Sequence, residues 1–241
     1  MILRPTFVGI VLLLLALAPA TGAIGPLGFK LGTSLSNYHG DGTGDNPGLL
    51  AGFEIGVSEE KKLAEGAFGQ LELLFVSHGG TREYDYLAPE GAIHFKESLR
   101  LFSLQLSASL RLGFPSERLE KYSALVGAGF SITPYGYADV DWSWPESPSD
   151  KTGQTSGPID NLGCSSLFVT GGLQRDLRLF NRGAFIELRY TVNFASDFNN
   201  DNISPGPGTS YNGSWYVLDS HNNDAADLTG GQLTLSIGFR P

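Results

Sequence analysis

The sequence predicts an all-β protein, an eight-stranded antiparallel up-and-down transmembrane β-barrel. Three observations lead to this fold class. Short segments alternate large apolar residues with small polar ones, and a period of two is the periodicity of a β-strand. Eight such segments follow one another, and the connections between them are alternately short and long. An apolar run near the N terminus has the composition of an export signal.

Each predicted strand places apolar residues on one face and mainly Gly, Ser, Thr or Gln on the other. The last segment is the clearest, because Leu233, Leu235 and Ile237 alternate without interruption with small or polar residues. Each segment is close to the length of about 9 to 11 residues with which a tilted strand crosses a bilayer. The predicted strands occupy residues 27–35, 49–57, 67–77, 101–112, 122–133, 165–175, 184–194 and 230–241.

The connections support a membrane barrel with a defined orientation. Short connections with turn residues and mixed charge are expected at 58–66, 113–121 and 176–183. Long connections rich in Gly, Pro, Asn, Asp and Ser are expected at 36–48, 78–98, 134–164 and 195–229. Brief periplasmic turns and longer external loops are typical of outer-membrane barrels. Both termini then lie in the periplasm, and the last strand pairs with the first, which leaves no open sheet edge.

A soluble secreted barrel or sandwich would also show this alternation, but two features argue against it. The exteriors of soluble proteins usually carry many Lys and Glu residues, whereas the charged residues here concentrate in the connections. Aromatic residues also gather near the predicted strand ends, as they do in the interfacial girdles of membrane barrels. These aromatic residues are Phe75, Phe102, Tyr122, Tyr135, Phe194 and Phe239.

The N terminus predicts a signal peptide over residues 1–23. Arg4 is the only charge before an apolar run from Phe7 to Ala18, and small residues follow this run. A membrane anchor helix is the alternative, but it would need about 20 apolar residues and this run is shorter. Cleavage after Ala20 and cleavage after Ala23 fit equally well. The barrel domain then spans 24–241, in the outer membrane of a Gram-negative-type bacterium.

Composition excludes several classes of protein. The single cysteine, Cys164, allows no intramolecular disulfide, and it lies too far downstream to be the lipid-bearing cysteine of a lipoprotein. Loss of the signal peptide removes Arg4 and no acid, so 15 of the 16 basic residues remain against 25 acidic ones and the net charge changes from −9 to −10. Nucleic acid is not an expected partner, because its phosphates require a basic face.

A set of charged residues is predicted to face the barrel interior, where inward-facing glycines leave room for long side chains. An eight-stranded barrel is just wide enough for its side chains to fill. The favoured interpretation is a structural network of ion pairs that plugs the lumen, and a proton or ion path is the alternative. The predicted lumen network consists of Lys30, Glu54, Glu72, Arg111, Glu187 and Arg189.

The sequence gives little support for an enzyme. A lipid-modifying deacylase barrel would carry His and Ser two residues apart on an outward strand face, and none of the four histidines has a Ser two residues later. No catalytic, cofactor-binding or metal-binding residue is therefore predicted, and His78 is interpreted as an interfacial residue. A lipid-modifying barrel enzyme and a narrow ion channel are the alternatives to a non-enzymatic role.

The last long connection, 195–229, contains five aspartates and neither Lys nor Arg. Asp197, Asn199 and Asp201 have the alternate spacing of a calcium-binding loop. The glycine expected at the sixth position is missing, however, and Gly208 stands where the bidentate Glu should be. A solvated acidic loop is favoured, with weak binding of divalent cations at the external loops.

The chain resembles the small eight-stranded outer-membrane barrels of the OmpA/OmpX and PorT type over residues 24–239. The resemblance is carried by GFKLGTSLSN, GQLELLFVSHGG, YSALVGAGFSITPYG and LTLSIGF. It implies a monomer, in contact with outer-membrane lipid and inserted by the barrel-assembly machinery. A role in envelope integrity or surface interaction through four external loops follows. Members usually end on an aromatic residue, whereas here Phe239 is followed by Arg240 and Pro241.

Overall fold

The computed structural model of the protein describes residues 27–39, 48–88, 91–144, 151–159, 164–179, 182–196, 209–211, 214–216 and 229–240. The predicted signal peptide and the Asp197, Asn199 and Asp201 spacing lie outside these residues. No helix in the described part of the chain is long and apolar enough to cross a membrane. The strands are β1 Gly28–His39, β2 Gly48–Ala64, β3 Ala67–Ala88, β4 Gly91–Gly113, β5 Tyr122–Trp144, β6 Lys151–Ile159, β7 Cys164–Leu179, β8 Arg182–Ser196, β9 Thr209–Tyr211, β10 Ser214–Tyr216 and β11 Thr229–Phe239.

Eight of these strands form a closed antiparallel barrel in the order β1, β2, β3, β4, β5, β7, β8 and β11. The pairing of β11 with β1 closes the ring, in a register that runs from Phe29 opposite Phe239 to His39 opposite Thr229. These eight strands correspond to the eight segments that the sequence predicts, although β1 begins one residue after its segment and β11 ends at Phe239. The predicted fold class and the pairing of the last strand with the first are therefore confirmed.

The strict alternation of each segment decides which side chains enter the lumen. On β1, Lys30 and Ser34 are buried inside the barrel, whereas Leu31 and Leu35 are exposed on its outer surface. The other ring strands repeat this arrangement, with large apolar side chains outside and polar ones inside. A soluble protein buries its apolar side chains instead, so the polarity of this barrel is inverted.

Aromatic side chains mark one border of the apolar outer surface. The rings of Phe53, Phe75, Phe102 and Tyr135 follow one another across β2, β3, β4 and β5, with successive centroids 6.0, 6.1 and 5.6 Å apart. This row lies on the side of the long connections, which we call the external end of the barrel. The opposite end, where the short connections lie, is the mouth. Tyr122 begins β5 there and Phe239 ends β11.

Several strands extend further than the sequence predicts, which is a correction to the predicted loops. The interval 78–98 is not a long loop, because β3 and β4 continue as a paired hairpin as far as Ala88 and Gly91. In 134–164, β5 continues to Trp144 and pairs with β6. Beyond the aromatic row, the outward face of a strand does not have to be apolar, and Glu83 and Lys96 form a cross-strand ion pair there. The period of two continues in these extensions, as in ADVDWSW at 138–144, but the outward positions there hold aspartates instead of large apolar residues.

Two of the short connections at the mouth lie wholly among the described residues. β2 and β3 are joined by Glu65 and Gly66 alone, and Gly66 has a φ of +71°, a conformation that favours glycine. The connection between β4 and β5 contains a 3-10 helix, Glu117–Leu119. Short turns of this kind fix the register of neighbouring strands. They thereby fix the height at which each inward-facing side chain enters the lumen.

Candidate functional site

Five of the six residues of the predicted lumen network lie together in the middle of the barrel. The Lys30 Nζ atom is 2.7 Å from Glu187 Oε1, 3.2 Å from Glu72 Oε1 and 3.3 Å from Glu54 Oε1. Arg189 donates a hydrogen bond from Nη1 to Glu72 Oε2 at 2.5 Å, and its Nε atom lies 2.7 Å from Glu187 Oε1. We call these five residues the central network.

The central network is assembled by three neighbouring strands of the ring and by a fourth strand, β8, that is not adjacent to them. Lys30 lies on β1, Glu54 on β2 and Glu72 on β3, and Glu187 and Arg189 enter from β8 across the lumen. The side chains of Lys30 and Glu187 have no exposed surface. Ion pairs taken out of water in this way stabilise a structure only when each charge is well partnered.

Glu72 is the best partnered member of the central network. Besides Lys30 and Arg189, it accepts hydrogen bonds from Gln70 Nε2 at 3.0 Å and from Ser107 Oγ at 3.3 Å. Glu54 is the least partnered, because its only ion pair among the described residues is with Lys30. The network contains three carboxylates and two cationic side chains, so its charge is not balanced when all five groups are ionised.

Arg111, the sixth predicted residue, lies in a second cluster at the mouth, together with Glu60, Asp176 and Arg240. Its Nη2 atom is 2.9 Å from Glu60 Oε1, and its Nη1 atom is 3.5 Å from Asp176 Oδ2. Arg240 contacts the same two acids, with Nη1 2.9 Å from Asp176 Oδ1 and Nη2 3.5 Å from Glu60 Oε2. The four charges alternate in sign around a closed circuit, which we call the mouth ring.

The strand order explains how the mouth ring crosses the lumen. Glu60 lies on β2, Arg111 on β4 and Asp176 on β7, and Arg240 directly follows β11, so the ring uses every second strand of the barrel. Each guanidinium also covers an aromatic ring at the mouth. Arg111 lies 4.1 Å from the centroid of Phe68, and Arg240 lies 4.9 Å from that of Phe185.

Three members of the mouth ring are not among the residues that the sequence predicts for the lumen. Glu60 and Asp176 fall in segments predicted as turns, and Arg240 falls at the end of the last predicted strand. Glu60 does continue the two-residue period of Glu54, and Asp176 that of Gln174, so strand parity was an available signal. The inward direction of Arg240 is set by the hydrogen bond from its backbone N–H to the carbonyl of Gly183, at 2.8 Å.

The external end of the lumen is less charged. Val76 and Leu101 are buried there, with 0 % and 1 % exposure. His78 is buried as well, so its interpretation as an interfacial residue is wrong. It has the inward parity of Glu72 and Val76, and its Nε2 atom lies 2.7 Å from Ser103 Oγ.

A histidine beside a serine is an arrangement that hydrolases use to activate a nucleophile. Here Ser103 has no exposed surface, and its hydroxyl also bonds to Thr133 Oγ1 at 2.7 Å. The contact therefore satisfies polar atoms inside the barrel wall. In the described part of the chain, no group of three or more His, Cys, Asp or Glu side chains is placed to hold a metal ion. Among the three carboxylates of the central network, Lys30 Nζ takes the position of a cation.

No protein-family model matches the chain, and no curated protein matches its sequence. Similar solved structures include Neisserial surface protein A, at 12 % identity and a TM-score of 0.44, over 89 % of this chain and 97 % of that one. They also include Ail, the attachment invasion locus protein of Yersinia pestis, at 14 % identity and a TM-score of 0.40, over 91 % of this chain and 100 % of that one. Because both scores are below 0.5, the fold assignment rests on the strand order and register of this chain.

Proposed function

We propose that the protein is a non-enzymatic outer-membrane barrel with a plugged lumen. It acts in envelope integrity or surface interaction through the acidic segments at its external end. The observation that carries this proposal is the inverted polarity of the barrel, with leucine, valine and phenylalanine side chains outside and charged side chains inside.

The outer surface is suited to lipid. Leu71, Leu73, Leu167 and Leu235 are each at least half exposed, and they are only a sample of the apolar side chains that cover the ring strands. Transfer of one such side chain from water into an apolar medium stabilises a protein by about 1.5–3 kcal/mol. Soluble monomeric proteins rarely expose contiguous apolar surfaces on this scale, and where such a surface occurs it contacts another protein or a membrane. A lipid bilayer can cover the outer surface of a barrel on all sides.

The lumen is suited to structural closure rather than to transport. The central network joins β1, β2, β3 and β8, and the mouth ring joins β2, β4, β7 and the residue after β11. An ion that crosses the barrel would have to displace paired charges at two successive levels. Breaking a buried ion pair by removing one partner typically costs about 3–5 kcal/mol, which makes such a path slow.

The external end is suited to contact with the surroundings of the cell. The outward faces of the β3 and β5 extensions continue beyond the aromatic row and carry Glu83, Asp85, Asp139 and Asp141. Lys96 on β4 lies between them and forms an ion pair with Glu83 at 3.0 Å, so this surface is only partly acidic. Acidic surfaces of this kind attract divalent cations weakly, because exposed charges are screened by solvent and salt. We include such cations among the proposed partners of this end, together with surface partners of the cell.

Three measurements test the proposal. Detergent-extracted protein is compared on SDS gels before and after boiling, and reconstituted protein is recorded in planar bilayers. We expect a folded form that resists SDS until it is heated, and no regular conductance steps. If boiling does not change the mobility on the gel, the protein is not a folded membrane barrel. If the recordings show steady ohmic steps, the lumen is a channel and is not plugged. Unequal lipid A mass spectra from cells with and without the protein would contradict the non-enzymatic role.

A further inference from the structure

The hairpin end formed by β7 and β8 carries an unbalanced positive charge at the mouth. Arg175, Arg178 and Arg182 are all exposed there. The only acid between residues 175 and 183 is Asp176, which the mouth ring occupies. None of the three arginines forms an ion pair with another residue of the described chain.

The other two hairpin ends at the mouth differ in this respect. Lys61 and Lys62 are accompanied by Glu59 and Glu65 between β2 and β3. Between β4 and β5, the basic residues alternate with acidic ones in the sequence Glu117, Arg118, Glu120 and Lys121. Positive charge without a matching acid is therefore confined to one of the three hairpin ends at the mouth.

Arg175 lies within the lipid-facing column of β7. Val169 and Leu173 precede it on the same outward face and are exposed. Tyr122 lies directly opposite on β5, and the Arg175 guanidinium is 5.5 Å from the centroid of its ring. A guanidinium is a fork of hydrogen-bond donors that matches the oxygens of a phosphate. It is held here at the edge of an apolar surface.

We propose that this face binds an anionic phospholipid of the periplasmic leaflet. Its phosphodiester contacts Arg175, and its acyl chains lie along Leu173 and Val169. Arg182 has the same outward parity on β8, and with Arg178 it adds positive charge toward the periplasm. The inference rests on the proposed outer-membrane location. Lipid is favoured over a soluble anion because the cationic group and the apolar column share one face of β7.

The experiment uses native mass spectrometry of the full mature chain in detergent micelles that contain equal amounts of palmitoyl-oleoyl phosphatidylglycerol and palmitoyl-oleoyl phosphatidylcholine. We expect the protein to retain phosphatidylglycerol at least about fivefold more than phosphatidylcholine, since one basic residue near anionic lipid contributes about 1 kcal/mol. In Arg175→Gln this preference should fall close to one. The matched control is Arg118→Gln, which removes another exposed arginine at the mouth and should leave the preference unchanged.

Three outcomes would overturn the lipid site. They are equal retention of the two lipids by the unmodified protein, an equal loss of preference in both variants, or displacement of phosphatidylglycerol by excess inorganic phosphate. All variants are first tested for the heat-dependent shift on SDS gels. A protein that shows this shift but has no lipid preference refutes only the lipid site, whereas a protein that never shows it refutes the membrane barrel.

Discussion

Arg111 and Arg240 contact the same two carboxylates, those of Glu60 and Asp176, from opposite sides of the barrel mouth. Arg240 follows the strand that closes the barrel, and Glu60 lies beyond β1 on β2. The ion pair between them therefore crosses the seam between the last and first strands without involving β1. Arg240 is thus part of barrel closure, in addition to the backbone pairing of β11 with β1.

Removal of the Arg240 side chain should weaken barrel closure. In Arg240→Ala, Asp176 loses its 2.9 Å partner and Phe185 loses its cationic cover. Hydrogen bonds to charged groups contribute about 1.5–3 kcal/mol, and partial exposure of this site places the expected loss near the lower limit. We expect a lower free energy of unfolding in a urea titration of the reconstituted protein, together with a lower temperature at which SDS resistance is lost.

The control for this prediction is Arg118→Gln, an exposed arginine at the same end of the barrel that forms no ion pair with another described residue. It should leave the unfolding free energy within about 0.5 kcal/mol of the unmodified protein. A double-mutant cycle of Arg240→Ala with Glu60→Gln should give a coupling energy clearly different from zero. Strict additivity would show that the mouth ring does not couple these residues.

The unequal charge of the central network leads to a second prediction. Arg189→Met leaves three carboxylates with Lys30 alone and removes both contacts of Arg189. Loss of one partner of a buried pair costs about 3–5 kcal/mol. Glu54→Gln removes the least partnered acid and balances the charge, so we expect a change within about 1 kcal/mol of zero. Both are measured as free energies of unfolding in urea.

A double variant shows whether charge imbalance causes the loss of stability in Arg189→Met. Adding Glu72→Met to Arg189→Met removes both members of the 2.5 Å pair and leaves Lys30 with two acids. This double variant should be more stable than Arg189→Met alone. If Glu54→Gln lowers the free energy of unfolding as much as Arg189→Met does, charge balance does not determine the stability of the central network.

The fold could be predicted from the sequence because one constraint acts on the whole barrel wall. A lipid-facing strand has to present an apolar residue at every second position, so segments such as 27–35 and 184–194 are recognisable as strands from the sequence. The same parity places Lys30, Glu72 and Arg189 inside, because residues on the other face of such a strand can only point into the lumen.

The limits of that prediction have the same origin. Beyond the aromatic row the outward face of a strand does not have to be apolar. The alternation in ADVDWSW at 138–144 therefore places aspartates outside, and it does not identify this segment as part of the lipid-facing wall. Which charges meet across the lumen depends on how each strand is staggered against the next. Arg111 therefore could be assigned to the lumen but not to the mouth ring, and Arg240 lies after the last periodic residue.

A close contact at the mouth gives a third prediction. A Cβ atom on Gly238 would lie 2.1 Å from the Phe185 ring, whereas one on Gly183 would lie 3.5 Å from its nearest neighbour, Arg240 Cβ. Gly238→Ala should therefore destabilise the barrel by about 1–3 kcal/mol through overpacking, and Gly183→Ala should have little effect. Phe185→Leu should recover part of the loss in Gly238→Ala. No recovery in the urea titration would show that another contact of Gly238 matters more.

The orientation in the membrane gives the last prediction, and it is tested with cysteine labelling in cells. In a background of Cys164→Ser, Thr152→Cys places a thiol on the exposed face of β6 at the external end, and Ser116→Cys places one in the exposed connection between β4 and β5. A membrane-impermeant maleimide should label position 152 in intact cells. It should label position 116 only after the outer membrane is opened, because short turns face the periplasm in outer-membrane barrels. As a control, both positions should be labelled equally once the outer membrane is opened. Labelling of position 116 but not of position 152 in intact cells would invert the topology and place the mouth ring at the cell surface.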